Sequence, residues 1–361
     1  MKIIHCADLH LGSKINGLPT DLSKVRKAEV VHTFERIAEF ANNNGVKAII
    51  IAGDMFDTTR VSDKLYKQLL SCIRRYSNVD FLYLSGNHDE DAFIKKGGKE
   101  TLPNNFKVFG NEWTCFEYDN VTITGINSCA LNTSIVYDTL SLDKDKINIC
   151  CMHGQIAGYA LEKGKEVISL PRLKNKHIDY LALGHYHFFM DGKIDERGFY
   201  AYSGCPEGRG YDETGEKGFV LIDTVNNKLS YKFKPFACRN ILELEFSVTN
   251  FESGFDVREE ILSIVKAKYN KNYQLKVVLS GERKADFILD TVELAERLNE
   301  LVFFAKVVDK TNLKISLEEF ATDKSVRGEF VRAVLSSELS QEDKNKVILM
   351  GLNALKGEIE E

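Results

Sequence analysis

The chain lacks several features that would place it quickly. No apolar run approaches the ~20 residues that a membrane-spanning helix needs, so a membrane protein is not expected. The opening Met1-Lys2-Ile3-Ile4-His5-Cys6 passes straight into a strand pattern. It has no charged segment followed by a long apolar one, so no signal peptide is expected and the location reads as cytoplasmic. None of the 8 cysteines (Cys6, Cys72, Cys115, Cys129, Cys150, Cys151, Cys205, Cys238) forms a Cys-x-x-Cys pair. Cys6, Cys150 and Cys151 sit in apolar runs, so buried reduced thiols are expected in place of zinc ligands or disulfides. Prolines number only 5, no linker declares itself by composition, and no internal repeat or low-complexity stretch is present. Positive charge is also missing: 48 Lys and Arg stand against 53 Asp and Glu, a formal net charge of −5. A stand-alone nucleic-acid binder is usually basic. Nucleic-acid binding here would need local charge or a partner, whereas a divalent-cation site is at home in an acidic balance.

What is present is an ordinary globular composition of 361 residues, 43% hydrophobic and 28% charged, room for roughly two domains. Ile3–Cys6, Ala48–Ala52, Phe81–Leu84, Val121–Ile126, Ile147–Met152 and Tyr180–Leu183 read as strands, mostly continuous apolar runs of the kind covered on both faces. Between the first two, Val25, Ala28, Val31, Phe34, Ile37, Ala38 and Ala41 follow three- and four-residue steps, which predicts a helix over Leu22–Asn44. A second helix is expected over Ser62–Tyr76. Strand–helix alternation alone points to a doubly wound α/β sheet. The character changes near Ala237, where a strand (Ile241–Val248), helix (Phe255–Lys268), strand (Tyr273–Leu279), helix (Thr291–Glu300) and strand (Leu301–Val308) suggest a small α+β domain. From about Leu317 the chain turns helical and charged, with Ser340 placed to cap a helix.

Five segments carry the chemistry: Asp8-Leu9-His10, Gly53-Asp54-Met55-Phe56-Asp57, Gly86-Asn87-His88-Asp89, His153-Gly154 and Gly184-His185-Tyr186-His187. Each follows a strand-like run, and the loop after a strand projects its side chains into the crevice at the carboxyl edge of a sheet. Asp, Asn and His supply oxygen and nitrogen donors for divalent metals. In Asp-x-His and His-x-His both side chains leave the same side of an extended segment. One Asp can bridge two ions, and two ions about 3.5–4 Å apart can activate water and clamp a phosphate for in-line attack. Taken singly, each segment would pass for a turn or a solvated loop. Taken together, they hold five of the 8 histidines, all at strand ends. His5, His32 and His177 read as solvated, packing or capping groups.

The order Asp-x-His, Gly-Asp-x-x-Asp, Gly-Asn-His-Asp, His-Gly, Gly-His-x-His resembles the calcineurin-like metallophosphoesterase superfamily. The opening MKIIHCADLHLGSKI, the GNHD and the segment YSGCPEGRGYDETGEKGFVLID resemble its SbcD branch, the nuclease subunit of the bacterial SbcCD DNA-repair complex. The resemblance implies an α/β (α+β) fold: a two-sheet β-sandwich flanked by helices, with a small capping domain and a helical C-terminal tail. Its domains would be a catalytic domain at 1–236, a capping domain at 237–316 and a partner-binding tail at 317–361. It implies Asp8, His10, Asp54 and His187 around a first metal, and Asp54 as bridge, Asn87, His153 and His185 around a second. His88 would be the catalytic histidine and Asp89 its orienting partner. Asp57 stands where archaeal and eukaryotic relatives carry a second histidine. Manganese is the implied ion, though iron or zinc would suit the same donors.

The implied activity is DNA exonuclease and single-strand endonuclease action with an SbcC-type ATPase. The rivals are a stand-alone phosphodiesterase of nucleotides or small esters, and a non-catalytic DNA-bridging subunit. The chain lacks the Gly-Asp-x-Val-Asp-Arg-Gly run of protein Ser/Thr phosphatases, and about 120 residues follow the catalytic region. Two local basic clusters, Lys95, Lys96 and Lys99, and Arg172, Lys174 and Lys176, have the charge to track a phosphate backbone. The Ser62–Tyr76 helix would either pair two chains into a homodimer or pack on its own sheet.

Overall fold

The computed structural model describes residues 1–58, 60–89, 96, 102–127, 135–157, 167–284, 287–313, 320 and 323–356. Lys95, Lys99 and Cys129 lie outside the described residues. The chain divides into two compact units, Met1–Ile241 and Leu242–Glu361.

The elements of the first unit run β1 (Lys2–Cys6), α1 (Thr20–Asn43), β2 (Val46–Ala52), α2 (Asp63–Arg75), β3 (Asp80–Leu84), β4 (Phe106–Val108), β5 (Thr114–Tyr118), β6 (Val121–Gly125) and α3 (Ile135–Thr139). After these come β7 (Ile147–His153), β8 (Gln155–Ile156), β9 (Val167–Ile168), α4 (Leu170–Leu173), β10 (Tyr180–Gly184), β11 (Met190–Lys193), β12 (Phe199–Tyr202), β13 (Gly218–Val225) and β14 (Lys228–Pro235). They form not one doubly wound sheet but two six-stranded sheets, ordered β14-β13-β1-β2-β3-β4 and β11-β12-β10-β7-β6-β5.

Side-chain alternation explains the layers. In β1, Ile3 and Ala7 join Ile50, Leu82, Ile149, Tyr180 and Ala182 in the core between the sheets, while Ile4 and Cys6 face α1 and α2. In the second sheet Cys150, Met152, Leu181 and Leu183 face outward onto Val136 and Leu173. Both faces of each central strand are therefore covered, which is why these strands read as unbroken apolar runs.

Helix α1 buries Val30, Val31, Phe34, Ile37, Ala38 and Ala41, but Val25 and Ala28 face solvent. The first turns turn Arg26 inward instead. Its guanidinium is fully buried and bonded to Glu207, to the Gly208 carbonyl and to Glu29. Helix α2 starts at Ser62, whose hydroxyl accepts from the Leu65 amide, and buries Tyr66, Leu69, Leu70, Cys72 and Ile73 against its own sheet. That apolar face is therefore spent within the chain, as the self-packing alternative expects. Of the cysteines, Cys6, Cys72, Cys150, Cys151 and Cys205 are buried, Cys238 is half-buried, and Cys115 is exposed, against the expectation for all eight. Cys115 lies on β5, an edge strand with no partner on its far side in that sheet.

The second unit has a three-stranded sheet ordered β15-β16-β18, made by Asn240–Ser247, Tyr273–Ser280 and Phe304–Asp309. Short β17 (Glu282–Arg283) pairs with β19 (Asn312–Leu313). Helices α5 (Gly254–Lys268) and α6 (Thr291–Leu301) cover the three-stranded sheet through Val257, Ile261, Val265, Leu294 and Leu298. Helix α6 runs through Leu301, so the last strand starts three residues later than the sequence suggests. Two further helices, α7 (Val326–Leu335) and α8 (Gln341–Lys356), share a small core of Phe320, Val331, Val334, Ile348 and Leu352. The Ser340 hydroxyl accepts from the Asp343 amide in front of α8, as the capping pattern predicts. Among the described residues no helix is long and apolar enough to cross a membrane.

Candidate metal centre

β1, β2 and β3 run parallel in one sheet, and β7 and β10 run parallel in the other. The five motif segments follow the carboxyl ends of these strands. Backbone bonds strap the loops together: the Asp8 amide donates to Gly53, His10 to Asp54, Leu11 to Met55 and Gly154 to Gly184. Asp8, His10, Asp54 and His185 all have positive φ, at 52°, 43°, 50° and 115°. Such backbone costs of the order of 1–3 kcal/mol per residue and persists where function aims a side chain. Gly53, at φ 93°, is needed twice over, because a Cβ there would collide with the His153 imidazole.

Asp54 sits at the centre. Its Oδ1 accepts from the His88 amide at 3.0 Å. Its Oδ2 lies 3.4 Å from His153 Nε2 and 3.8 Å from His10 Nε2, one histidine from each expected set. Asp8 accepts the His185 amide at 2.9 and 3.0 Å on its two oxygens. Asp8 and Asp54 are 1% and 2% exposed, so two carboxylates are buried side by side. Burial lifts the Asp8 carboxyl to about 7, although His153 and His187 pull it down. Asp54 is opposed by burial too, yet His153 and His10 hold it well below the usual carboxylate range. His153 feels the converse: burial pushes it down, and Asp54 and Asp8 outweigh that and raise it to about 10. Burial lowers His10 to about 3 and His185 to about 4.

The tautomers follow from the bonds. Nδ1 of His153 lies 2.9 Å from the Ala52 carbonyl, which only accepts, so Nδ1 carries the proton and Nε2 faces Asp54 and the Asn87 Oδ1 at 3.0 Å. Nδ1 of His187 lies 2.7 Å from Glu213, leaving its Nε2 3.2 Å from His10 Nε2. Two imidazole nitrogens that close, beside two buried carboxylates, make a donor set that fits divalent cations. Asp8, His10 and His187 form one compact group of donors, and Asp8, Asp54 and His153 another. His185 joins through its ring, 5.6 Å from that of His153 and perpendicular to it.

His88 is exposed at the mouth, with its ring 5.1 Å from that of His10. Asp89 is placed differently from the expectation of an orienting contact. Its carboxylate is buried and accepts from the Gly86, Met55 and Phe56 amides, so it locks the β2 and β3 loops together and holds the His88 backbone. Asp57 lies 3.3 Å from His10 Nδ1 and 3.2 Å from Arg209. Together with His10 and His88 it makes a third compact group of donors. Sequence reasoning missed Glu213 and Arg209; the only signal was that they fall inside the YSGCPEGRGYDETGEKG segment.

Residues 1–189 match the family model described as calcineurin-like phosphoesterase. The chain belongs to the calcineurin-like phosphoesterase family. Such a chain is a metallophosphoesterase-type hydrolase, and the family fold agrees with the two helix-flanked sheets seen here. Among curated proteins, the DNA double-strand break repair protein Mre11 of Methanosarcina acetivorans is 24% identical over 335 residues, 88% of this chain. This chain spans only 52% of that protein's length. The SbcD subunit of the nuclease SbcCD from Staphylococcus saprophyticus is 24% identical over 310 residues, covering 76% of this chain and 77% of that protein. A dimetal phosphatase from Danio rerio aligns with 64% of this chain and 95% of its own at 11% identity and a TM-score of 0.45.

The remaining expectations fare unevenly. His5 is buried and bonded on both nitrogens, to the Tyr180 hydroxyl and the Leu183 carbonyl, while His32 and His177 are exposed. Lys96 pairs with Asp63 at 2.6 Å and Arg172 with Asp138 at 2.8 Å, which leaves Lys174 as an exposed cation of that second cluster.

Proposed function

We propose that this chain is a metal-dependent DNA phosphodiesterase, acting as exonuclease and single-strand endonuclease, and the SbcD-like subunit of a complex with an SbcC-type ATPase. The observation that carries the reading is Asp54 Oδ2, set between the Nε2 atoms of His10 and His153 with His88 exposed alongside. Asp8, His10, Asp54 and His187 would hold one ion, and Asp54, Asn87, His153 and His185 the other. When bound, two such ions, manganese by preference, supply Lewis acidity toward phosphate oxygens and a nucleophilic water at neutral pH.

The chain's own residues then do the rest. The strapped loops fix the donors before substrate arrives, so little reorganisation remains for the reaction. His88 stands free to give its imidazole proton to the departing sugar oxygen. Asp89 keeps that loop in register. Phe188, 52% exposed, stacks on Tyr186, whose ring lies 5.5 Å from that of His185. It offers a ring face to an unstacked base. DNA as substrate and the ATPase as partner draw support from the names of the two curated relatives. The region at 237–316 is assigned the capping role, and the helices after it the docking of the partner. A homodimer would have to use the solvent face of α2, because the apolar face is buried.

The test incubates purified protein with Mn²⁺ and labelled single-stranded DNA, beside His88→Ala and a small chromogenic phosphodiester. DNA cleavage that His88→Ala loses is the expected result. Cleavage of the small ester alone, even with the ATPase partner added, refutes the nuclease reading in favour of a small-molecule phosphodiesterase.

A further inference from the structure

Behind the two histidines of the first ion site lies a cluster that the reaction itself does not use. Glu213 is 4% exposed, in the loop between β12 and β13. A buried carboxylate needs compensating donors. Arg209 supplies three of them: its amide to Oε2 at 2.7 Å, Nε to Oε1 at 3.0 Å and Nη2 to Oε1 at 2.6 Å. His187 Nδ1 supplies the fourth at 2.7 Å. A carboxylate so charged only accepts, so the proton of His187 is confined to Nδ1 and its Nε2 keeps a lone pair. The same guanidinium reaches Asp57 Oδ1 through Nη1 at 3.2 Å, and that oxygen lies 3.3 Å from His10 Nδ1. One arginine thus ties together the carboxylates that stand behind both histidines. His187 is also held at its carbonyl by the buried Lys217 ammonium at 2.6 Å.

We propose that Glu213 and Arg209 are positioning residues of the first metal site: Glu213 fixes the tautomer and ring orientation of His187, and Arg209 holds Glu213 and Asp57 behind His187 and His10. The proposal rests on the two-metal reading above. Outer carboxylates that take the second ring N–H of a ligating histidine orient it and raise its basicity, and their loss lowers metal affinity about 10–100-fold. An ion pair serving stability alone would leave metal affinity untouched. An arginine serving as a phosphate clamp would leave it untouched too, and would act on KM instead.

The experiment is calorimetric titration of Mn²⁺ into the full chain stripped with EDTA. Wild type, Asp8→Asn, Glu213→Ala, Glu213→Gln and Arg209→Gln are compared, each checked for native near-ultraviolet circular dichroism before metal is added. The expected result is two ions in wild type and one of them weakened roughly 10–100-fold in Glu213→Ala. Glu213→Gln keeps an acceptor for His187 and is expected to lose less, and Arg209→Gln should weaken the same ion. Wild-type affinity in a folded Glu213→Ala overturns the role of Glu213. If that variant does not fold, wild-type affinity in Glu213→Gln does so. Wild-type Mn²⁺ affinity in Arg209→Gln with a raised KM overturns the role of Arg209. Equal binding by wild type and Asp8→Asn would instead refute the metal reading underneath.

Discussion

Gly53→Ala tests the geometry of the centre without touching any proposed ligand. Gly53 has φ 93°, and Gly45, at the far end of β2, has φ 67°. A Cβ in the left-handed region costs about 1–2 kcal/mol. At Gly45 the added methyl meets nothing within 4 Å, so that is the whole expected cost. At Gly53 it runs into the His153 imidazole. The ring must move, and the buried bond from Nδ1 to the Ala52 carbonyl, 2.9 Å long, is lost. Leaving such a buried pair unmade adds about 1–3 kcal/mol. Gly53→Ala should therefore destabilise by roughly 2–5 kcal/mol, against roughly 1–2 for Gly45→Ala. Urea unfolding in EDTA measures both, followed by the fluorescence of Trp113, the single tryptophan, which lies in the first compact unit. Equal free energies for the two variants would refute the packing of Gly53 against His153.

Other outcomes follow from single residues. Phe188→Ala should raise KM for single-stranded DNA by about 5- to 100-fold, the loss of ~1–3 kcal/mol of base stacking, and leave hydrolysis of a small diester unchanged. Equal effects on both substrates would remove the stacking role. Burial holds the His5 imidazole down from 6.5 to about 3. Below pH 6.5 the unfolded chain therefore binds a proton that the folded chain refuses, and stability falls as pH drops through that window. The loss should reach ~2 kcal/mol by pH 5, and His5→Asn should show a flatter profile between pH 6.5 and 5. Parallel profiles would contradict a neutral, doubly bonded His5.

Much of the site could be read from sequence because its residues sit at strand ends, where an apolar run, a glycine and a polar donor follow in order. His10, His153 and His187 are of that kind. Sheet membership could not be read that way. Strands covered on both faces give the same unbroken apolar run in a doubly wound sheet as in a sandwich. The pairing of β1 with β13 joins Lys2 to Asp223, a contact that local periodicity cannot signal. Arg26 broke the helical reading of α1, because a buried arginine depends on Glu207, 181 residues away. Glu213 and Arg209 fall in a glycine-rich turn, where charged residues pass for solvated ones until the fold closes over them. Asp89 was recognised as part of its motif, but its bonds to the Met55 and Phe56 amides arise only when the β2 and β3 loops meet.

The central claim is a pair of ions bridged by Asp54. Anomalous X-ray scattering from crystals soaked in Mn²⁺ tests it most directly. The account predicts two peaks about 3.5–4 Å apart, one on each side of the Asp54 carboxylate, with both weakened or lost in Asp54→Asn. A single peak, no peak, or two peaks unchanged in Asp54→Asn would contradict it.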